Sequence, residues 1–310
     1  MLNPETLYLA KAGIFENPAL KGLPLVIALS HPQDAGGTAG HLGKVLLKEL
    51  ENAALIEFDV DQLHDYRTRR PRVRFKEDHF ERAILPELKL YLVEDRLDTP
   101  FLLLSGAEPD LQWQRFSAAV TSIVQKLEVS LALFVSGFPM PVPHTRPLPV
   151  TAHGSRKDLT RGISAWKPVA EMPGSMSSLL EIALGENKVD TVGFGINVPQ
   201  YLSEADLPQS TLLAMEHLSM AAKLSLPSDP LRDASADVKL QIDEQVKANP
   251  EIGAMIERLE ENYDFHAKTA NLQLLPLAER EAGLIPDRDE IGAQIEEYLA
   301  HLEHKEDTEE

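Results

Sequence analysis

His144, Thr145 and Arg146 follow one another inside a proline-studded stretch, Phe138 to Pro149. An imidazole can shuttle protons near neutral pH, and a guanidinium can grip a carboxylate or phosphate through two parallel hydrogen bonds. In an extended backbone, however, positions 144 and 146 share a face and Thr145 takes the other, so the three need not converge on one ligand. Anchoring a long loop on a neighbouring subunit suits the same residues. Glu108-Pro109-Asp110 is the second candidate. Two carboxyl groups in unlike environments can serve as general acid and base. The plainer alternative is a helix cap at Asp110 and a surface pair between Glu108 and an arginine. Asp34, just past an apolar run, either meets a substrate hydroxyl or metal or caps the next helix. Gly36-Gly37-x-x-Gly40 has neither the spacing nor the lysine of a phosphate-binding loop.

Ser105 and Ser175 are the possible nucleophiles, and neither lies in a Gly-x-Ser-x-Gly elbow. Gly174-Ser175 reads as a helix start. Tyr201, after Pro199, lines either a cleft or a subunit contact, while Trp166 and the methionines read as packing. The ten histidines show no metal-ligand spacing and there is no cysteine, so neither a metal nor a cofactor is expected. Glu108, Asp110 and His144 are thus the catalytic candidates. Asp34, His144, Thr145, Arg146 and Tyr201 are the binding candidates.

Positioning these residues requires a scaffold. Pro24–Ser30 is a continuous apolar run that reads as a buried strand, followed by a helix over Asp34–Leu50. Strands are expected at Ala54–Val60, Arg72–Phe75, Leu88–Val93, Phe101–Ser105, Ser130–Val135 and Val189–Val198, with another starting near Val150. Helices are expected at Trp113–Leu127, from Pro173 to Leu184, and from Ser203 or Asp206 to about Leu224. Phe138–Pro149 must be an extended loop. This alternation predicts a mostly parallel sheet with helices on both faces. Each polar segment then falls beside a strand end, where α/β proteins meet ligands and partners. After Pro230 only helices are expected. One starts at Asn249-Pro250 with Ile252, Met255, Ile256, Leu259 and Tyr263 on one stripe. Another is capped at Asp287-Arg288-Asp289-Glu290, with Ile291, Ile295, Tyr298, Leu299 and Leu302.

The net charge of −19 is unevenly spread: residues 228–310 hold 22 of the 49 acidic side chains and 8 of the 30 basic ones. A nearly balanced body, residues 1–227, therefore carries an acidic helical extension, 228–304, and a disordered acidic tail, 305–310. Such a surface repels polyanions, which argues against nucleic acid. The exception is Arg67–Lys76, where Arg67, Arg69, Arg70 and Arg72 lead a basic patch expected at a subunit interface facing the acidic part. No apolar stretch is long enough to span a membrane and no signal-peptide pattern is present, so a cytoplasmic protein without a membrane partner is expected.

Several blocks together resemble the proteasome assembly chaperone family, in the actinobacterial branch of its type-two members. They are Phe58-Asp59-Val60-Asp61-Gln62-Leu63 leading to Asp65-Tyr66-Arg67 and Arg69-Arg70-Pro71; Gly106 through Trp113; Val142-Pro143-His144-Thr145-Arg146-Pro147; Val198-Pro199 with Tyr201-Leu202; and Leu259-Glu260 with Tyr263-Asp264. The chain departs at His31-Pro32-Gln33, where relatives often carry a glycine and an aromatic, and at Gln200, where many carry histidine. The resemblance implies a three-layer α/β core of the phosphorylase/hydrolase type, a helical C-terminal extension and homo-oligomers; a trimer is expected. It points to a non-enzymatic, chaperone-like protein that binds an unidentified protein partner. The rival reading is a hydrolase or phosphorylase acting on a small polar, glycosidic or phosphorylated compound, for which Glu108 and His144 would have to share a pocket.

Overall fold

A computed structural model describes residues 2–164 and 171–269. The expected helix from Asp287, the tail 305–310 and Trp166 lie outside the described residues. The chain divides into two units, Met1–Asp264 and Phe265–Glu310; of the second, residues 265–269 are described.

In chain order the described elements are β1 (Tyr8–Ala10), β2 (Leu25–Ser30), α1 (Thr38–Glu49), β3 (Asn52–Phe58), α2 (Val60–Leu63), β4 (Arg72–Lys76), β5 (His79–Ile84), β6 (Leu88–Glu94), β7 (Pro100–Ala107), α3 (Trp113–Lys126), β8 (Ala132–Met140), β9 (Val150–Gly154), α4 (Lys157–Thr160), α5 (Met176–Glu186), β10 (Thr191–Pro199), α6 (Pro208–Ala222), α7 (Asp229–Ala248) and α8 (Pro250–Thr269). The main sheet runs β1-β3-β6-β7-β2-β8-β10-β9. Its centre, β7-β2-β8-β10, is parallel, and the flanking pairs are antiparallel. No described helix is long and apolar enough to cross a membrane.

The central strands read as unbroken apolar runs because both of their faces are covered. On β2, Leu25, Ile27 and Leu29 join one core while Val26 and Ala28 join the other. The first core receives Phe116, Val120 and Val124 of α3 and Met176, Leu180 and Leu184 of α5. The second receives Leu42 and Leu46 of α1, Met215 and Leu218 of α6, and Leu231 of α7. Two helical layers thus sandwich the sheet. Arg115 of α3 is buried and donates to Asn3 O, Thr6 Oγ1, Gln62 Oε1 and Gln112 Oε1, which ties the N-terminal segment down through uncharged acceptors.

Some local expectations need adjusting. Neither Ser203 nor Asp206 caps α6, which opens with Pro208 at its first turn after a short 3-10 turn at Gln200–Leu202. Phe138 to Met140 are the end of β8 rather than loop. β1 and β5 had no sequence signal: β1 is three residues long, and a register shift in the β4–β5 pairing breaks the alternation of β5.

Candidate functional site

Four of the polar segments do meet at one rim of the sheet. Asp34 follows β2, Glu108 follows β7, His144 follows β8 and Tyr201 follows β10, and these are the four parallel strands. Their side chains take separate partners there.

The Asp34 carboxylate accepts from the backbone N–H groups of Ala39 (2.9 Å) and Gly40 (3.1 Å) in α1, and of Gly137 (3.0 Å) in β8. It reaches so far along the helix because Gly36 and Gly37, at φ 68° and 61°, turn the chain through left-handed backbone that a side chain would strain. Gly137 permits the close approach, since a Cβ there would lie 1.9 Å from Ala35 O. Burial pushes the Asp34 carboxyl up from its ordinary value, against the pull of the three amides and of His31. This side chain fills the anion position at the start of α1 itself.

Glu108 is buried, and its Oε2 accepts from Met176 N–H (2.7 Å) at the start of α5. Asp110 turns elsewhere: it accepts from Asp65 N–H (3.0 Å) and pairs with Arg69 Nε (3.2 Å). Arg69 also donates to Glu108 O (3.0 Å), so of the arginines in the basic segment this one, only a quarter exposed, holds the loop that leads to β4. His64 is buried beside this network. Its Nδ1 stands 3.6 Å from Asp110 Oδ2, too far for a hydrogen bond, and neither ring nitrogen has a hydrogen-bond partner among the described residues. Burial lowers the His64 pKa, and the Asp110 charge opposes that only in part. Ser175 is the N-cap of α5, in a capping box with Ser178. A Cβ at Gly43 of α1 would lie 2.3 Å from Ser105 Oγ, so the hydroxyl of Ser105 sits under that helix.

The proline loop is the most heavily bonded segment. The Tyr201 hydroxyl accepts from His144 N–H (2.8 Å) and lies 2.6 Å from His144 Nδ1, while Nε2 lies 3.2 Å from Asp243 Oδ1 of α7. The consistent proton arrangement has Tyr201 donating to Nδ1 and Nε2–H donating to Asp243. That polarity matches a hydroxyl–imidazole–carboxylate relay. Burial pushes the Tyr201 phenol up to about 12, however, and its oxygen is occupied by a backbone amide. A pocket beside His144, lined in part by Leu207, Ser235, Lys239 and Ile242, holds about 10 Å³, the room one water needs. Thr145 Oγ1 donates to Glu260 of α8. Arg146 grips Asp264 through two bonds of 2.9 Å and lies 3.4 Å from Glu260, and Tyr263 donates to Pro147 O (2.7 Å).

Sequence reasoning missed Asp243, Glu260, Tyr263 and Asp264 as partners of this loop. The available signal was their spacing: Glu260, Tyr263 and Asp264 stand at i, i+3 and i+4, one face of a helix, and match a loop offering a hydroxyl, a guanidinium and a carbonyl. Among the described residues no group of three or more His, Asp or Glu side chains could hold a metal ion.

By contrast Arg67, Arg70 and Arg72 lie in or beside the separate β4–β5 pair, whose strands are exposed throughout. Val73, Phe75 and Phe80 are 55%, 58% and 71% exposed. Paired positions share a face, so Val73 with Ala83 and Phe75 with Phe80 make an apolar side. Arg74 with Arg82, Lys76 with His79 and Arg72 with Ile84 make the other side, which is mainly cationic.

The PAC2 family model matches residues 28–246. A Mycobacterium tuberculosis protein of unknown function is 37% identical with a TM-score of 0.79, over 86% of this chain and 91% of that one. A Corynebacterium glutamicum protein of unknown function is 33% identical with a TM-score of 0.79, over 83% of this chain and 97% of that one. A proteasome-assembly chaperone homologue from M. tuberculosis is 22% identical with a TM-score of 0.68, over 76% of this chain and 100% of that one, a likeness of fold. No curated protein matches.

Proposed function

The chain belongs to the PAC2 family, and on that premise we propose that it is a non-enzymatic, homo-oligomeric interaction protein of the assembly-chaperone type, working in the cytoplasm. The observation that carries this reading is the bare apolar side of the β4–β5 arm. Among the described residues its two strands pair only with each other, and an isolated two-stranded hairpin is marginally stable in water. Exposed apolar surface of this kind is one of the features that protein contacts share, and it supports this reading. A second copy is the favoured occupant because closed homo-oligomers are the common assembly of soluble chains; a trimer is our working stoichiometry.

The rim supports the same conclusion. Glu108, Asp110, His144 and Asp34 each hold a helix, a loop or a neighbouring strand, and Glu108 and His144 have no bonding partner in common among the described residues. No observation favours the hydrolase or phosphorylase reading. A client protein, the remaining part of the proposal, is supported by family membership and by the chaperone-type neighbour.

Light scattering on the full chain tests the oligomer, which Phe75→Ser/Phe80→Ser should dissociate into folded protomers. A wild-type monomer at micromolar concentration would remove that part. Affinity capture from the source cell should recover a defined second protein; repeated recovery of the bait alone would leave an oligomer without a chaperone role.

A further inference from the structure

We infer that the cationic side of the β4–β5 arm lies along the outer face of α7 in a second copy of the chain, so that copies join head to tail. The inference rests on the homo-oligomeric reading above and names the surface that receives the arm.

Arg72, Lys76 and Arg82 make no ion pair among the described residues, whereas Arg74 is already engaged by Glu81 at 3.0 Å. Three cations on one side of the arm therefore lack a counter-charge. α7 carries the complement. Leu231 is buried, and Val238 and Ile242 pack on the core, so one side of this helix is used within the protomer. Asp233, Asp237, Leu240 and Glu244 follow at i, i+4, i+7 and i+11 on the opposite side, and all four are exposed. Leu240 is 63% exposed, and the three carboxylates are without ion pairs among the described residues.

The dimensions agree. Arg72 to Lys76 spans roughly 13 Å along a strand. Asp233 to Glu244 spans roughly 16 Å along a helix. Long, flexible cationic side chains bridge that difference. Both unpaired sets belong to the same sequence, which singles out a second copy over an unrelated protein. The arm's own strands, meanwhile, join no other sheet among the described residues. A contact between two different surfaces is heterologous, and it closes into a ring when the rotation per copy allows. In this arrangement the charged side sets register and partner choice.

Charge exchange on the full chain tests the inference. Arg72→Glu/Arg82→Glu and Asp233→Arg/Asp237→Arg should each weaken self-association by about tenfold or more, read by light scattering across a dilution series. Both exchanges on one chain should restore it. The substituted positions are exposed, and circular dichroism with a thermal melt checks that each variant is folded. If the α7 exchange associates like wild type, or the double exchange stays as weak as the arm exchange alone, this docking surface is wrong while the oligomer stands. If wild type never associates, the oligomeric reading fails with it. Cross-linking from position 76 that captures a different protein instead of α7 would also overturn it.

Discussion

The proline loop and the β4–β5 arm carry the same kinds of side chain, yet one is saturated with partners and the other has few. His144, Thr145 and Arg146 are bonded to Tyr201, Asp243, Glu260 and Asp264. On the arm, Arg74–Glu81 is an internal ion pair, and four large apolar side chains, Val73, Phe75, Phe80 and Ile84, face solvent. Residue types that suggest chemistry thus serve as fasteners for α7 and α8. The arm, whose sequence signal is a run of cations rather than a catalytic pattern, has the surface left over for a partner.

Substitutions at the rim should reduce protomer stability, and substitutions on the arm should not. The largest effect is expected from Asp34→Ala, which strands two buried amides and a half-buried one and removes a helix-start anion; a loss of about 3 kcal/mol or more should appear in denaturant unfolding. Tyr201→Phe leaves the His144 amide and Nδ1 without their shared partner, and roughly 1–3 kcal/mol should be lost by the same measurement. Arg146→Ala breaks a two-pronged but partly exposed pair, so about 1 kcal/mol is expected, with faster amide exchange across 250–264 as its local signature.

His64 supplies a smaller effect that depends on pH. Its folded pKa lies below the ordinary 6.5, so the unfolded chain binds the proton more readily. Stability should be full above about pH 6.5 and fall as the pH drops below it, and His64→Leu should flatten that slope in melting curves. Phe75→Ser comes last: at a dilution where copies separate, the protomer should change by no more than about 0.5 kcal/mol. A loss comparable to that of Tyr201→Phe would mean the arm is part of the core and would dissolve the contrast.

Much of the scaffold was legible because local pattern determines it. The apolar run at β2 and the stripe Phe116, Val120, Ile123, Val124 of α3 each follow from a burial requirement on a single element. Asn249 and Pro250 open α8 as their types require, with Asn249 Oδ1 accepting from Glu251 and Ile252. The site was less legible because its contacts are long-range. Arg146 finds Asp264 across 118 positions, and no periodicity encodes that meeting. Asp34 was readable as a helix-capping type, but its reach to residues five and six ahead depends on two left-handed glycines. The antiparallel β9 depends on which neighbour the returning chain finds, here β10, and its own composition does not say.

The buried guanidinium of Arg115 has a practical bearing on handling the molecule. Two of its acceptors come from Asn3 and Thr6. Trimming the first half-dozen residues, an innocuous edit at most termini, would leave a permanent positive charge in the interior with half of its solvating shell gone. Affinity tags are better removed ahead of Met1 than within the segment that follows it.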